Sequence, residues 1–158
     1  MRIAVCEDNQ LQRDMIVQLL SRCSAERSLP VELVPYEFGM NLLYDVEEGA
    51  DFDIVFLDIY LPDTMGNELA HRLRGTGYRG KLVFLTASPD FAIESYDVFA
   101  SGYLLKPISG KLLFPVLDRL SLREQRPQDG LTLKAGATLV RVPFSQLAYV
   151  EVSGKHLY

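Results

Sequence analysis

The sequence predicts an α/β protein built on a doubly wound, five-stranded parallel sheet, and three observations carry that expectation. Five short apolar runs alternate with stretches of helical periodicity over residues 1–122. The runs are nearly continuous rather than alternating in polarity, as are strands buried on both faces of a parallel sheet. Four of them end in polar or charged residues, and open α/β sheets place their chemistry outside the carboxyl ends of the strands.

Arg2 to Cys6 is the first run and ends in the acidic pair Glu7-Asp8; behind it Leu11, Met15, Leu19, Leu20 and Cys23 recur at helical spacing. Ser24 to Pro30 breaks the pattern. Val31 to Tyr36 reads as a second strand despite Pro35, and Leu42, Leu43 and Val46 after Gly39 predict a short helix. Ile54 to Leu57 is too short and too β-branched for a helix, so it reads as the central strand, with Asp58 at its end and a turn at Pro62 and Gly66. Leu69 and Leu73 mark a third helix ended by Gly75, Gly77 and Gly80, and Lys81 to Leu85 is a fourth strand running into Thr86. Ile93 and Tyr96 lie on a weaker fourth helix. Tyr103 to Leu105 form a fifth strand stopped by Lys106-Pro107, and Leu112, Leu113, Val116, Leu117 and Leu120 line a fifth helix. Right-handed crossovers between parallel strands then cover both faces of the sheet.

Residues 123–130 are polar, contain Pro127 and end in Gly130, which predicts a linker. Residues 131–158 change texture: two alternating runs flank Ala135-Gly136 and a third spans Ala148 to Val152, the pattern of antiparallel strands. A stretch of that length buries no core of its own. The expectation is that it docks on the first domain or opens a longer protein.

With 158 residues, 48% hydrophobic and 23% charged, the chain has material for one good core and a remainder. A net charge of −5 argues against nucleic-acid binding by the chain as a whole. The N-terminal run meets Glu7 and Asp8 too soon for a signal peptide, and no apolar run approaches the roughly 18 residues of a membrane span, so no membrane partner and a cytoplasmic location are expected. Cys6 and Cys23 form no CxxC and have no His cluster nearby, which predicts two buried, reduced thiols.

Glu7, Asp8, Asp58, Thr86 and Lys106 therefore fall together at the ends of four strands. Each has a bland alternative: Asp58 as a helix cap, Glu7 and Asp8 as acids at a helix N-terminus, Thr86 as a cap, Lys106 as a solvated turn residue. Their convergence favours chemistry. Close carboxylates repel by roughly 4 kcal/mol per pair at an effective dielectric of about 20, so the group needs a cation. Lys106 supplies one charge, and Mg²⁺, a hard ion that keeps waters and accepts phosphoryl oxygens, suits the rest. A carboxylate between two cations can attack phosphorus, and Thr86 could then bond the attached phosphate.

The motifs CED at Cys6 to Asp8, FLDIYLPDTMG at Phe56 to Gly66, FLTAS at Phe84 to Ser88 and GYLLKP at Gly102 to Pro107 make residues 1–122 resemble a response-regulator receiver domain of bacterial two-component signalling. The resemblance implies a flavodoxin-like (βα)₅ fold with Asp58 as phosphoacceptor and a sensor histidine kinase as phosphodonor. It implies Mg²⁺ held by Asp8, Asp58 and the backbone carbonyl of Tyr60, with Glu7 acting through water. Lys106 would neutralise the phosphoryl group, Thr86 would bond it, and Tyr103 would swing inward behind Thr86. The stretch LAYVEVSGKHLY in residues 131–158 resembles the beginning of a LytTR DNA-binding domain, in which a base-contacting role would fall to His156. The expected function is a phosphorylation-activated transcriptional regulator that binds DNA only with a complete output domain, and the resemblance leaves room for a homodimer on phosphorylation. One alternative is a stand-alone receiver working through protein contacts. Another is a haloacid-dehalogenase-like phosphatase, which needs a second acid two residues after the nucleophile; Tyr60 stands there, and favours the switch.

Overall fold

The computed structural model describes residues 1–87 and 97–121 in full and, of the remainder, the backbone of residues 122–125, 130–135, 138–143, 152–153 and 156–157. The chain divides into two compact units, Met1–Leu120 and Ser121–Tyr158. In the first, β1 (Arg2–Cys6), β2 (Glu32–Tyr36), β3 (Ile54–Asp58), β4 (Lys81–Thr86) and β5 (Gly102–Leu105) form one parallel sheet in the order β2-β1-β3-β4-β5. This is the flavodoxin-like doubly wound order, whose switch point lies between β1 and β3. The helices are α1 (Gln10–Glu26), α2 (Gly39–Glu47), α3 (Gly66–Gly75) and α4 (Gly110–Gln125). The helix expected around Ile93 and Tyr96 lies outside the described residues.

The continuous apolar runs acquire a physical reason in the two cores. Alternate residues of each strand point to opposite faces. Ala4, Cys6, Val55, Leu57, Leu82 and Phe84 pack with Leu42 and Leu43 of α2 and Leu69 and Leu73 of α3. Ile3, Val5, Ile54, Phe56, Val83 and Leu85 pack with Ile16, Leu20 and Cys23 of α1 and Leu113, Leu117 and Leu120 of α4. Both cysteines are buried and free. Pro35 is tolerated because β2 is an edge strand, where a missing N–H breaks no central ladder. Among the described residues no helix is long and apolar enough to cross a membrane.

Three local expectations are corrected. Leu11 and Met15 are 82% and 39% exposed, whereas Leu20 and Cys23 are buried as expected, joined by Ile16 in place of the first two. Leu11 keeps helical spacing with Met15, and Ile16 with Leu20 and Cys23, but only the latter three face the sheet. Leu112 likewise stands exposed beside buried Leu113. Helix α4 runs to Gln125, three residues into the stretch expected to be linker. Arg123, Glu124 and Gln125 are good helix formers.

In the second unit, β6 (Gly130–Ala135) and β7 (Thr138–Pro143) pair antiparallel, as do β8 (Val152–Ser153) and β9 (His156–Leu157). The expected strand from Ala148 is described only at its end, Val152.

One side chain ties α3 to the approach of β5. Arg74 donates from Nε to the Val98 carbonyl at 2.9 Å and from Nη1 to those of Tyr78 and Gly80 at 3.1 and 2.8 Å, with its guanidinium over the Tyr78 ring. A further bond at 3.4 Å reaches the carbonyl of Phe99, a residue at φ 52° with its ring in solvent. Arg74→Leu is expected to lower the unfolding free energy by roughly 2–4 kcal/mol, because several carbonyls lose a charged donor at once. Urea denaturation of the two proteins checks this, and a loss under about 0.5 kcal/mol, the scale of an ordinary surface change, would show the clasp to be idle.

Candidate functional site

The site lies at the carboxyl edge of β1, β3, β4 and β5. Burial on both faces fixes where each strand ends, and the residue after the last sheet contact is delivered into the crevice. Glu7 follows β1, and its N–H still donates to the Tyr36 carbonyl at 3.1 Å, which turns the chain at the switch point. Asp8 follows it into solvent. Arg13, one turn into α1, reaches back with Nη1 to the carbonyls of Glu7 and Asp8 at 2.6 and 3.2 Å. The acidic pair is thus held from behind by a cation that leaves its carboxylates free to face forward.

Asp58 is the last residue of β3 and is 4% exposed. The loop after it is closed at its base by a bridge between Tyr60 and Met65 and by the Gly66 N–H donating to the Ile59 carbonyl at 2.7 Å. Gly66 is required here for close approach, since a Cβ on it would strike the Asp58 carbonyl oxygen. The Tyr60 N–H lies 3.3 Å from Asp58 Oδ1 and donates to it. Thr86 ends β4, fully buried, and its carbonyl accepts from the Lys106 N–H at 2.7 Å. That bond carries Lys106 over the mouth of the sheet just past β5. Tyr103 sits in β5 opposite Phe84, partly buried against the core on the α2 and α3 side.

Lys106 joins the pieces. Its Nζ donates to Asp58 Oδ2 at 2.7 Å and ion-pairs with Glu7 Oε2, also at 2.7 Å. The Glu7 contact has ion-pair distance but not hydrogen-bond geometry, so Glu7 Oε2 is a buried oxygen without a hydrogen-bond partner. The other oxygen, Oε1, accepts from the Asn9 N–H at 3.2 Å. Burial pushes the Glu7 carboxyl up from its ordinary range, and the Asp58 charge adds to that; the Lys106 ammonium beside it pulls the other way without cancelling it. For Lys106 burial opposes the charge, but the bond to Asp58 and the ion pair with Glu7 outweigh it, so the ammonium is held above its ordinary value and stays charged at neutral pH.

One oxygen from each of Glu7, Asp8 and Asp58 can be chosen so that all lie within 4.8 Å of one another. At that spacing carboxylates repel by roughly 3–4 kcal/mol per pair at an effective dielectric of about 20, and one lysine does not offset three such charges. The donors are all oxygen, one buried oxygen lacks a hydrogen-bond partner, and Asp8 leaves the cluster open to solvent. These features fit a hard divalent ion that retains waters, and the cluster is consistent with a receiver-type Mg²⁺ site.

The sequence-predicted residues Glu7, Asp8, Asp58 and Lys106 therefore meet, with Thr86 ending the neighbouring strand. Tyr60, half exposed, stands on the loop above them. His156 opens β9 in the second unit, in register with Ser153, and its side chain lies outside the described residues. Sequence reasoning missed Arg13 and Asp63. Arg13 had no signal beyond its place near the start of a helix. Asp63 bonds to residues more than twenty positions away, a distance that no local spacing reports.

The family model described as "Response regulator receiver domain" matches residues 3–118. Among characterised proteins, the chain is similar to the positive alginate biosynthesis regulatory protein of Pseudomonas aeruginosa, 30% identical over 121 residues that cover 77% of this chain and 47% of that protein. It is also similar to the accessory gene regulator protein A of Staphylococcus epidermidis, 29% identical over 98% of this chain and 70% of the relative. The sensory transduction protein LytT of Bacillus subtilis is 26% identical over 99% of this chain and 67% of its own length. The chain thus spans about half to two thirds of these relatives. The response regulatory domain of MrkE from Klebsiella pneumoniae superposes with a TM-score of 0.71 at 25% identity, over 80% of this chain and all of that one. With its parallel sheet in the order β2-β1-β3-β4-β5, its acidic cluster at the carboxyl edge and a family match over residues 3–118, the chain belongs to the response-regulator receiver domain family.

Proposed function

We propose that the chain is the phosphoacceptor part of a cytoplasmic two-component response regulator: Asp58 receives a phosphoryl group from a sensor histidine kinase, and the resulting change of state controls transcription through a LytTR-like output domain that begins in residues 131–158. The observation that carries the first half is the Lys106 ammonium at 2.7 Å from both Asp58 and Glu7, beside an acidic cluster open to solvent at Asp8. The second half is supported by the antiparallel pairing of β6 with β7 and β8 with β9, and by similarity over nearly the whole chain to regulators such as accessory gene regulator protein A.

In this reading the Asp58 carboxylate attacks phosphorus in line, one oxygen–phosphorus bond forms, and the bond from phosphorus to the donor imidazole or acyl oxygen breaks with its electron pair leaving on the donor. A divalent ion held by Glu7 through water, by Asp8, by Asp58 and by the Tyr60 carbonyl would supply positive charge to the phosphoryl oxygens. Lys106 is already aimed at Asp58 Oδ2 and would follow the new negative charge without reorganising. Thr86 would bond a phosphoryl oxygen, and Tyr103, one strand over, would move inward behind it. Two or three charge-assisted hydrogen bonds are worth about 1.5–3 kcal/mol each. Shifting a two-state switch from 1:99 to 99:1 takes roughly 5.5 kcal/mol, so this contact set is of the right size.

Incubation with Mg²⁺ and acetyl phosphate is expected to add the mass of one phosphoryl group, and chelation of the metal to suppress the addition. Equal uptake with and without chelator would remove the cation from the account, and no uptake by the native chain would overturn the reading.

A further inference from the structure

We infer that Asp63 is a positioning residue for the phosphoacceptor loop: by gripping the first turn of α2, it fixes the tip of the Ile59–Met65 segment that follows Asp58. The inference rests on the reading of Asp58 and its cation just given.

The first turn of a helix presents N–H groups with no partner inside the helix. At α2 the N-cap residue is Phe38, whose side chain makes no capping bond. Asp63 supplies the acceptors instead, with Oδ1 taking the Gly39 N–H at 3.1 Å and Oδ2 the Met40 N–H at 2.8 Å. One bond would let the loop pivot about it, whereas two bonds from the two oxygens of one carboxylate fix its plane. The contact is close along its length as well. A Cβ on Gly39 would come within 2.6 Å of a Leu69 methyl, 2.9 Å of the Thr64 methyl and 3.0 Å of a Leu61 methyl, so side chains of the loop and α3 pack directly against the first turn of α2. The loop is therefore tied at its base by the Tyr60 and Met65 bridge and at its tip by Asp63, and Tyr60, the residue whose carbonyl would face the ion, is part of the base tie, three residues before the tip. Charge points the same way. The positive end of the α2 dipole takes up the Asp63 carboxylate, and the acid cluster consists of Glu7, Asp8 and Asp58 without it.

A cap of purely structural value would cost stability and nothing else when lost, which separates the two roles. The full 158-residue chain is compared with Asp63→Ala, Asp63→Asn and a control, Tyr44→Gly, which weakens α2 at a solvent-exposed position away from the loop. Mg²⁺ affinity is measured by calorimetry without phosphodonor, unfolding by thermal melts, and phosphoryl uptake from acetyl phosphate by mass. Asp63→Ala is expected to weaken Mg²⁺ binding by about 10-fold, the lower end for loss of a residue that orients a metal ligand, and to slow uptake in proportion at fixed Mg²⁺. Asp63→Asn keeps one acceptor oxygen and is expected to recover most of both; it carries the comparison if the alanine variant fails to fold. Tyr44→Gly is expected to melt earlier yet bind Mg²⁺ as the native chain does. Native Mg²⁺ affinity and uptake in Asp63→Ala would overturn the inference, and so would a Tyr44→Gly variant that weakens the metal equally. A native chain that binds Mg²⁺ in an Asp63-dependent way yet takes up no phosphoryl group would overturn the functional reading and leave the positioning role standing.

Discussion

Asp58→Ala is expected to take up no phosphoryl group from acetyl phosphate under conditions chosen to label the native chain to completion. The expectation follows from what the remaining carboxylates can reach. Glu7 is buried, with Oε1 held by the Asn9 N–H and Oε2 against Lys106, so it has no oxygen free to approach an incoming donor in line. Asp8 is exposed and accessible, but no Lys106 contact reaches it. A nucleophile deprived of that positioning forfeits much of the advantage of a preorganised site, an advantage that can be worth about 7–11 kcal/mol of barrier. Residual labelling of the variant at the native rate would move the nucleophile elsewhere. The same substitution removes one of three mutually repelling acids, so the variant is also expected to melt no earlier than the native chain in chelator, which separates loss of chemistry from loss of fold.

Lys106→Met should produce the second largest change, and on two observables. Methionine keeps an apolar stem of similar length against the neighbouring residues while removing the ammonium. Asp58 and Glu7 then remain buried without their cation. Removing one partner of a fully buried ion pair costs about 3–5 kcal/mol, and with Lys106 itself 16% exposed and Asp8 open to water the expected loss in chelator is toward the lower end. Saturating Mg²⁺ is expected to return part of that stability, because the added charge sits among the same carboxylates. The rate of phosphoryl uptake is expected to fall by about 10²-fold, the scale of deleting one preorganised donor from a transition-state charge. Thermal melts with and without Mg²⁺, together with single-turnover labelling, check both. Native-like labelling by the variant would show that the 2.7 Å contact with Asp58 is structural only.

Much of the fold was legible because one physical constraint wrote it into adjacent residues. A strand covered on both faces must be apolar at every position, and Ile54 to Leu57 is, with Ile54 and Phe56 serving one core and Val55 and Leu57 the other. The candidate site was legible for the complementary reason. A polar residue directly after such a run has nowhere to go but the carboxyl edge, and Glu7, Asp58 and Lys106 arrive there from three different strands. What the sequence concealed depends on choices among equals or on distant partners. Helix α1 carries two apolar stripes, Leu11 with Met15 and Ile16 with Leu20, and periodicity does not say which one meets the sheet. The reach of Arg74 to Val98, and of Asp63 to Gly39 and Met40, spans more than twenty residues and has no spacing to betray it. The end of α4 at Gln125 was hidden because polar residues that form good helices are the same ones that form good linkers.

The central claim, that the carboxylate held by Lys106 is the one that becomes phosphorylated, is tested most directly by locating the acyl phosphate chemically. Borohydride reduces an aspartyl phosphate to homoserine and leaves ordinary carboxylates untouched, so native protein labelled with acetyl phosphate and Mg²⁺, reduced and digested, carries the mark in its peptide masses. The account predicts homoserine at position 58 alone, absent when the metal is chelated; homoserine at Asp8 or any other acid, with Asp58 recovered intact, would contradict it.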